Sequence, residues 1–312
     1  MDPGAVAGAS SLHRRVGAVV LVVVAATFVG GATLSLVDRQ PAAPSALASS
    51  GEPAPTAGSA QVAAPPGPDS VAAARAALDQ LGAAAGTGPA SGVSVAAKDT
   101  VTGASFQYGA TAGMSTASVV KLEILVASMI RHQDEGDQLT SQDRALASAM
   151  ITESDNDAAI ALFDDLGGTS ALVAVNDRLG LTATAIGAGG YFGFTTTGAA
   201  DQVTLLNLLT DPASVLSAEN RAFALDLMRS VVPDQSWGVS AAADAGTPPA
   251  VKNGWLPLDS DDGLWVVASV GVVTVHGHPV LLAVLVQHLD TEGAGIDYIE
   301  RASTIAATAV TG

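Results

Sequence analysis

Hydrophobic and polar positions recur with different periods along the chain, and each period predicts an element. Residues 70–81 carry apolar side chains at helical spacing among good helix formers, which predicts a helix. Residues 92–98 and 104–108 have the pattern of two short strands around a turn at residues 99–103. An alanine-rich stretch with helical spacing, broken by polar loops, then extends over residues 117–179.

The C-terminal part of the chain has a different pattern. Residues 263–288 are largely apolar, but turn-forming residues interrupt them at 276–279, and valine is frequent on both sides. This combination predicts a hairpin of two buried strands rather than a membrane span. A final helix is predicted over residues 296–310. The order of elements indicates an α/β (α+β) fold, in which an antiparallel sheet packs against helices with a helical subdomain.

An apolar segment near the N-terminus bears on localisation. Residues 16–37 carry no charge, and a helix of this length can cross a bilayer. Arg14 and Arg15 precede the segment, so the positive-inside rule places residues 1–15 in the cytoplasm and the rest of the chain outside. A cleaved signal peptide is the alternative, although the nearest small-residue cleavage pattern, at residues 46–48, lies well beyond the apolar run. We therefore expect a cell-membrane protein with one N-terminal span, or a secreted protein if the segment is cleaved.

Proline, alanine and serine dominate the segment that follows. Residues 38–68 hold seven of the fifteen prolines, a composition typical of a semi-extended linker. The sequence thus predicts a short cytoplasmic N-terminus, a transmembrane anchor or signal segment, a linker and one folded domain, at residues 1–15, 16–37, 38–68 and 69–312.

Composition and charge exclude several kinds of site and partner for the folded domain. The chain is 48% hydrophobic, 14% charged and free of cysteine, so it can bury a large core but cannot form disulfides or thiolate metal sites. Its net charge of −17 lies wholly in residues 69–312, which carry 27 acidic and 10 basic residues. Because so acidic a domain repels phosphate backbones, we expect no nucleic-acid partner.

The first candidate for chemistry is a serine three residues before a lysine. On a helix, Ser118 and Lys121 lie on one face within reach of each other. The helix that follows is apolar on nearly every face, which indicates burial. Burial would lower the pKa of Lys121 and make it a base for Ser118. Chance alone gives this spacing to one of three lysines in about one such sequence in five, so the pair is weak by itself.

Two further motifs lie downstream. The Ser-Asp-Asn motif at residues 154–156 could supply a hydroxyl that relays a proton and an amide that binds a substrate carbonyl. The same residue types are typical of turns and helix N-caps. The Lys-Asn-Gly-Trp motif at residues 252–255 would lie at a strand edge, but it is also typical of a surface Asn-Gly turn with a solvated lysine.

Taken together and in this order, the three motifs resemble those of the class A β-lactamase and penicillin-binding-protein family. The resemblance covers about residues 70–310, and the Thr-Thr-Thr segment at 195–197 supports it. The chain is similar to exported actinobacterial serine hydrolases with a β-lactamase fold. The resemblance therefore implies a β-lactamase/transpeptidase-like architecture and acyl transfer through a serine.

By this resemblance, each matching residue receives a role. Ser118 would be the acylated nucleophile, and Lys121 would accept its proton. Ser154 would pass a proton to the leaving nitrogen, and Lys252 would anchor the substrate carboxylate. The backbone amides of Ser118 and Trp255 would form the oxyanion hole. The residues expected to bind substrate are Asn156, Asn253, Gly254 and Trp255. No metal or organic cofactor is implied.

Two departures from the family pattern change the expected activity. Class A β-lactamases carry a glutamate, between the Ser-Asp-Asn and Thr-Thr segments, that activates the deacylating water. Residues 157–197 contain no glutamate. Loss of a general base slows release by roughly 10²–10⁴-fold, so we expect a long-lived acyl-enzyme. Asn253 also replaces the usual threonine or serine, which changes how a substrate carboxylate is held.

Three functions are compatible with these observations. The first is a serine hydrolase that is acylated at Ser118 by β-lactams or peptidoglycan-like peptides and deacylates weakly. The second is a true β-lactamase whose deacylating base lies elsewhere in the chain. The third is a non-catalytic binding protein of the cell envelope on the same fold. In each case we expect a monomer that contacts the membrane through its N-terminal helix.

Overall fold

The structure is a computed structural model and describes residues 67–88 and 92–312. The segments expected at residues 1–15 and 16–37, and nearly all of the linker expected at 38–68, lie outside the described residues.

Seven strands form two antiparallel sheets in the described part of the chain. They are β1 (Val93–Asp99), β2 (Ser105–Gly109), β3 (Met114–Ser115), β4 (Thr196–Thr197), β5 (Ala250–Leu258), β6 (Leu264–Val275) and β7 (His278–Leu289). Five of them form the main sheet in the order β2-β1-β7-β6-β5, and β3 pairs with β4. The last strand of the chain therefore lies at the centre of the main sheet, and β5 forms one edge.

Eight α-helices surround the sheet within the same residues. They are α1 (Pro68–Ala85), α2 (Val120–Glu135), α3 (Ser141–Ser148), α4 (Asn156–Leu166), α5 (Gly168–Leu179), α6 (Ala199–Thr210), α7 (Ala218–Arg229) and α8 (Glu292–Thr311). The terminal helices α1 and α8 pack together on one face of the sheet. On the other face, α6 packs on β1 and β7, and α2 to α5 with α7 form the helical subdomain.

The pattern of β7 shows why the sheet is covered on both faces. Successive side chains of a strand point to opposite faces. Leu282 and Val284 belong to the core beneath α1 and α8, whereas Leu281 and Ala283 belong to the core beneath the helical subdomain. Because both faces are buried, the strand needs apolar residues at consecutive positions rather than at alternate ones.

The predicted fold class is confirmed: an antiparallel sheet packs against helices and a helical subdomain. The predicted hairpin is β6 and β7, and its turn has positive φ angles at His276 (50°) and Gly277 (80°), as a type I′ turn requires. Helices α6 and α7 were not predicted. In α6, buried residues lie on several sides, including Gln202, Val203 and Leu205, so the sequence lacks a clear apolar stripe.

Among the described residues, no single helix is long and apolar enough to cross a bilayer, and α4 and α5 meet that criterion only as a pair bent by 77°.

Candidate active site

Ser118 lies in a single 3₁₀ turn, Ala117–Val119, that leads directly into α2. Between Met114 and Ile130 it is the one residue that is not buried. Ala117 before it has a positive φ of 44°, an uncommon conformation for a residue with a Cβ atom. Two hydrogen bonds hold the preceding Thr116, because its backbone N–H and its hydroxyl both donate to the carbonyl of Thr195, at 2.9 and 3.0 Å. The hydroxyl of Ser118 therefore projects from a turn that is otherwise buried and is held by hydrogen bonds.

Lys121 lies one helical turn further on, and its side chain is only 1% exposed. Its Nζ lies 3.1 Å from Oγ of Ser118, 3.2 Å from Oγ of Ser154 and 2.7 Å from Oδ1 of Asn156. It also contacts the backbone carbonyl of Ser154. Burial lowers the pKa of Lys121 to about 8, and the carboxylate of Asp155 opposes this shift only in part. An amine of this kind can exchange protons near neutral pH.

Ser154 occupies a strained position between two helices. It follows a π-helical turn, Ala149–Glu153, and has a positive φ of 60°. Turns of this type are frequent at functional sites, and a non-glycine residue in this conformation costs free energy that the surroundings must supply. Asp155 caps α4, because its side chain accepts a hydrogen bond of 2.7 Å from the backbone of Ala158. The Ser-Asp-Asn motif thus acts as a helix cap and also directs Ser154 towards Lys121.

Lys252 approaches the same hydroxyl from the sheet. It lies in β5 with no exposed surface, and its Nζ donates to Oγ of Ser154 at 3.0 Å and to the carbonyl of Asn253 at 2.9 Å. Burial, together with the nearby charge of Lys121, lowers the pKa of Lys252 to about 7. Oγ of Ser154 therefore lies between two amines that both hold their protons weakly.

Gly254 brings β5 against the serine turn. A Cβ atom at this position would lie 2.5 Å from the backbone nitrogen of Ser118 and 2.9 Å from that of Val119. Contacts this short do not occur for real side chains, so only glycine allows the strand to approach. The family resemblance implies that the backbone amides of Ser118 and Trp255 form an oxyanion hole. The approach of β5 brings both amides to the same junction between the strand and the turn.

Asn253 and Trp255 lie at the end of the site that faces residues 233–238. The side chain of Asn253 is 1% exposed, and its amide nitrogen donates to the carbonyls of Gln235 and Trp237 at 2.9 and 3.0 Å. The ring of Trp255 packs edge-on against that of Trp237, with centroids 5.6 Å apart. Asn253 is thus bound to protein backbone, whereas Asn156 is exposed and accepts from Lys121.

The segment between α5 and β4 contains no acidic residue. It is anchored by the bonds from Thr116 to Thr195 and by the rings of Phe163 and Phe192, whose centroids are 5.1 Å apart. Residues 192–194 also contact the turn that carries Ser118. Tyr191 and Phe194 are 68% and 60% exposed. The segment therefore offers apolar surface and backbone groups near Ser118, but no carboxylate.

The sequence analysis missed one titratable residue near the site. Glu123 in α2 is 1% exposed, and the amide of Asn176 in α5 donates to its Oε1 at 2.6 Å. Burial raises the pKa of Glu123 to about 7, and the nearby Asp201 contributes in the same direction. The signal available in the sequence was an acidic residue inside the run 119–130, where Lys121 is the other charged residue. Among the described residues, no group of three His, Asp or Glu side chains is placed to hold a metal ion.

Comparisons with known proteins bear on the family and the fold. A family model described as the beta-lactamase enzyme family matches residues 127–310, which include Ser154 and Lys252 and begin after Lys121. No curated protein sequence matches the chain. Solved structures do match, and PBP-A and two β-lactamases among them each cover 75% of this chain. PBP-A is 23% identical over 95% of its own chain, with a TM-score of 0.64.

Two β-lactamases of known structure are also similar to this chain in fold. The TLA-3 extended-spectrum beta-lactamase is 15% identical over 97% of its chain, with a TM-score of 0.66. A beta-lactamase from Chitinophaga pinensis is 19% identical over 97% of its chain, with a TM-score of 0.64. At these identities the solved structures establish a shared fold. Because the family model covers more than half of the sequence, the chain belongs to the beta-lactamase enzyme family.

Proposed function

We propose that the protein is a serine hydrolase that β-lactams or peptidoglycan-like peptides acylate at Ser118, and that it releases the acyl group slowly. The observation that carries this proposal is the position of Lys121. Its buried Nζ lies 3.1 Å from the hydroxyl of Ser118, within the reach that proton transfer requires. A non-catalytic binding protein would not need a buried lysine within hydrogen-bonding distance of a serine hydroxyl.

The acylation step uses groups that the site already brings together. Neutral Lys121 accepts the proton of Ser118 as Oγ attacks the substrate carbonyl carbon. When the carbon–nitrogen bond breaks, Ser154 donates its hydroxyl proton to the leaving nitrogen. The ammonium of Lys121 or of Lys252 then returns a proton to Ser154, since both lie within 3.2 Å of its oxygen. The product is an ester on Ser118, with every proton accounted for.

Slow release is supported by the segment between α5 and β4. Deacylation needs a base that activates water on the ester, and this segment offers no carboxylate. A variant of PBP-A, 22% identical to this chain, has been solved as an acyl-enzyme complex with penicillin G. We propose a similar long-lived ester here, with a release rate roughly 10²–10⁴-fold below that of an enzyme with a general base.

The localisation belongs to the same proposal. We propose that residues 16–37 anchor a monomeric protein in the cell membrane, with the catalytic domain outside, where peptidoglycan-like substrates are found. Protease treatment of intact cells should degrade the domain and leave cytoplasmic proteins untouched. Protection of the domain until the cells are lysed would contradict this arrangement.

The acylation proposal is tested by intact mass spectrometry of the full-length protein after mixing with penicillin G, sampled from seconds to hours. We expect a mass increase equal to one penicillin that persists for hours. Ser118→Ala is the matched control and should show no increase. A transient increase with consumption of the antibiotic would instead indicate a working β-lactamase with another deacylating base. No adduct with any acyl donor would favour a non-catalytic binding protein.

A further inference from the structure

The side chain of Asn253 is bonded to a neighbouring turn on the far side of its strand. Lys252 and Gly254, which flank it along β5, both contact the serine residues of the site. Because successive side chains of a strand alternate between its faces, Asn253 points away from the site. Its amide nitrogen donates to two backbone carbonyls of the turn at residues 233–238, at 2.9 and 3.0 Å. Asn253 therefore fixes this turn to the sheet.

The same turn is bonded on its other side to the segment that leads into Ser154. The side-chain amide of Gln235 donates to the carbonyl of Glu153 at 3.1 Å. The backbone N–H of Val232, one residue before the turn, donates to the carbonyl of Thr152 at 3.0 Å. The two residues that accept these bonds directly precede Ser154 in the chain, so the turn holds the backbone from which its hydroxyl projects.

Ser154 needs such support because its backbone is strained. Its φ of 60° lies in the left-handed region, where a residue with a Cβ atom stays only if its surroundings hold it there. Its N–H donates to the carbonyl of Ala149, within its own π-helical turn, and Lys121 of α2 contacts its carbonyl. The 233–238 turn adds a third attachment, which runs to the sheet through Asn253.

We propose that Gln235 and Asn253 are positioning residues that together brace Ser154, so that its hydroxyl can protonate the leaving group during acylation. The inference rests on the proposed acylation of Ser118 and adds two residues to it. Gln235 acts on the backbone directly before Ser154. Asn253 acts one step further away, because it bonds the carbonyl of Gln235 to the sheet. Neither side chain needs to contact the substrate.

The brace affects proton donation by Ser154 more than the attack by Ser118. Oγ of Ser154 lies 3.0 Å from Nζ of Lys252 and 3.2 Å from Nζ of Lys121, and both contacts weaken if the segment moves. The attack depends on the 3.1 Å contact between Ser118 and Lys121, which lie one helical turn apart. Loss of the brace should therefore slow donors whose leaving group needs a proton and spare donors whose leaving group departs as a stable anion.

The test compares two donors that place the same acyl group on Ser118, the benzyl ester and the benzyl thioester of N-benzoylglycine. An alkoxide is a strong base and needs a proton as the carbon–oxygen bond breaks, whereas a thiolate is a weak base and leaves without one. Acylation of the full-length protein is followed by intact mass with both donors, and as a burst of thiol release with the thioester. Penicillin G, whose leaving group is a nitrogen, is a third donor and should behave like the ester.

Four variants separate positioning from simple structural damage. Gln235→Leu removes the donor that reaches Glu153, and Asn253→Ala removes both donors that fix the turn. We expect each to lower the acylation rate about tenfold or more with the ester and less than about twofold with the thioester. Ser154→Ala is the reference and should give the same pattern with a larger loss. Ser236→Ala, at an exposed position of the same turn, is the matched control and should leave both rates unchanged.

A double variant checks that the two residues act through one attachment. Gln235→Leu combined with Asn253→Ala should lose no more of the ester rate than the larger single loss. Gln235 is partly exposed, so Gln235→Leu decides the question even where the buried Asn253→Ala does not fold.

Three results would overturn the inference and leave the acylation proposal intact. They are equal losses with the ester and the thioester, which indicate structural damage, unchanged rates in Gln235→Leu, and independent losses that multiply in the double variant. If the wild-type protein forms no acyl-enzyme with any of the three donors, the proposed function fails, and the positioning inference fails with it.

Discussion

Lys121 contacts more oxygen atoms than an ammonium group can satisfy. An ammonium has three N–H bonds, yet Nζ lies within hydrogen-bonding distance of four oxygens, on Ser118, Ser154 and Asn156. Oγ of Ser154 has a second donor, Nζ of Lys252, so three contacts remain for Lys121 to satisfy. When Lys121 is neutral, its two hydrogens go to the carbonyl oxygens of Ser154 and Asn156, and its lone pair accepts a hydrogen bond from the hydroxyl of Ser118. The geometry around this one residue is therefore compatible with the proton state that the proposed acylation needs.

The pH dependence of acylation follows from that proton state. With a pKa of about 8, the neutral fraction of Lys121 rises about tenfold between pH 6 and pH 7 and levels off above pH 8. The burst rate with a neutral thioester should follow this curve. Lys121→Arg, which stays protonated, should lose the rise together with most of the rate. A flat profile for the wild-type protein between pH 6 and pH 8 would contradict the role of Lys121 as base.

At the level of secondary structure, a buried hydrogen-bonded pair, Glu123 and Asn176, joins α2 to α5. Asn176 donates to Oε1 of Glu123, while Oε2 of Glu123 and Oδ1 of Asn176 are both buried without partners among the described residues. Both of these atoms are acceptors when Glu123 is ionised, and burial without a donor is costly for a charged carboxylate. A proton on Oε2 removes that charge, so the buried pair favours the neutral carboxylic acid.

This pair predicts how stability depends on pH. The folded-state pKa of Glu123, about 7, lies above the ordinary value of 4.5, so the folded state retains a proton that the unfolded state releases. The free energy of unfolding from this group therefore falls as pH rises from 4.5 to 7, by up to about 1.4 kcal/mol per pH unit. Glu123→Gln keeps an acceptor oxygen for the amide of Asn176 and does not titrate. Urea unfolding at pH 5, 6, 7 and 8 should show this fall in the wild-type protein only.

The wild-type protein and Glu123→Gln share every other titrating group. The difference between their curves of unfolding free energy against pH therefore reports the titration of Glu123 alone. Parallel curves would show that Glu123 titrates normally in the folded protein.

Elements with a strong local signal could be predicted from sequence, and elements that depend on distant contacts could not. The β6–β7 hairpin was predictable because turn residues separate two valine-rich runs, and β1 and β2 are within one residue of the expected bounds. The meeting of Ser118, Lys121, Ser154 and Lys252 was expected from motif order, and their roles stay predictions. The bonds from Asn253 to the 233–238 turn could not be foreseen, since they depend on how that turn packs on β5.

Across the whole molecule, the balance of charge opposes the arrival of anionic substrates. Residues 69–312 carry 27 acidic and 10 basic residues, while the cations at the site are two buried lysines. A negatively charged penicillin therefore approaches against a repulsive field. Salt screens such a field over about 10 Å at 0.1 M ionic strength, so the charge affects the rate of encounter rather than the chemistry.

The second-order rate of acylation by penicillin should therefore increase as sodium chloride is raised from 10 to 300 mM, by about two- to tenfold. The benzyl thioester of N-benzoylglycine is uncharged, and its rate should stay constant over the same range. Stopped-flow measurement of both at fixed pH separates the effects. A rate with penicillin that falls with salt would indicate that the buried lysines attract anions more strongly than the surface repels them.

The central position of β7 governs the order in which the protein can assemble. The strand that follows α1, β1, pairs with residues 280–286 of β7, so nearly two hundred residues separate the two partners along the chain. Pairings this distant close slowly. A chain emerging from the ribosome contains Ser118 and Lys121 long before Lys252, and longer still before the strand that joins the two halves of the sheet. Ser118, the proposed nucleophile, is thus synthesised early but meets its full set of partners only after the C-terminal hairpin has docked, so we expect the growing polypeptide to form no acyl-enzyme.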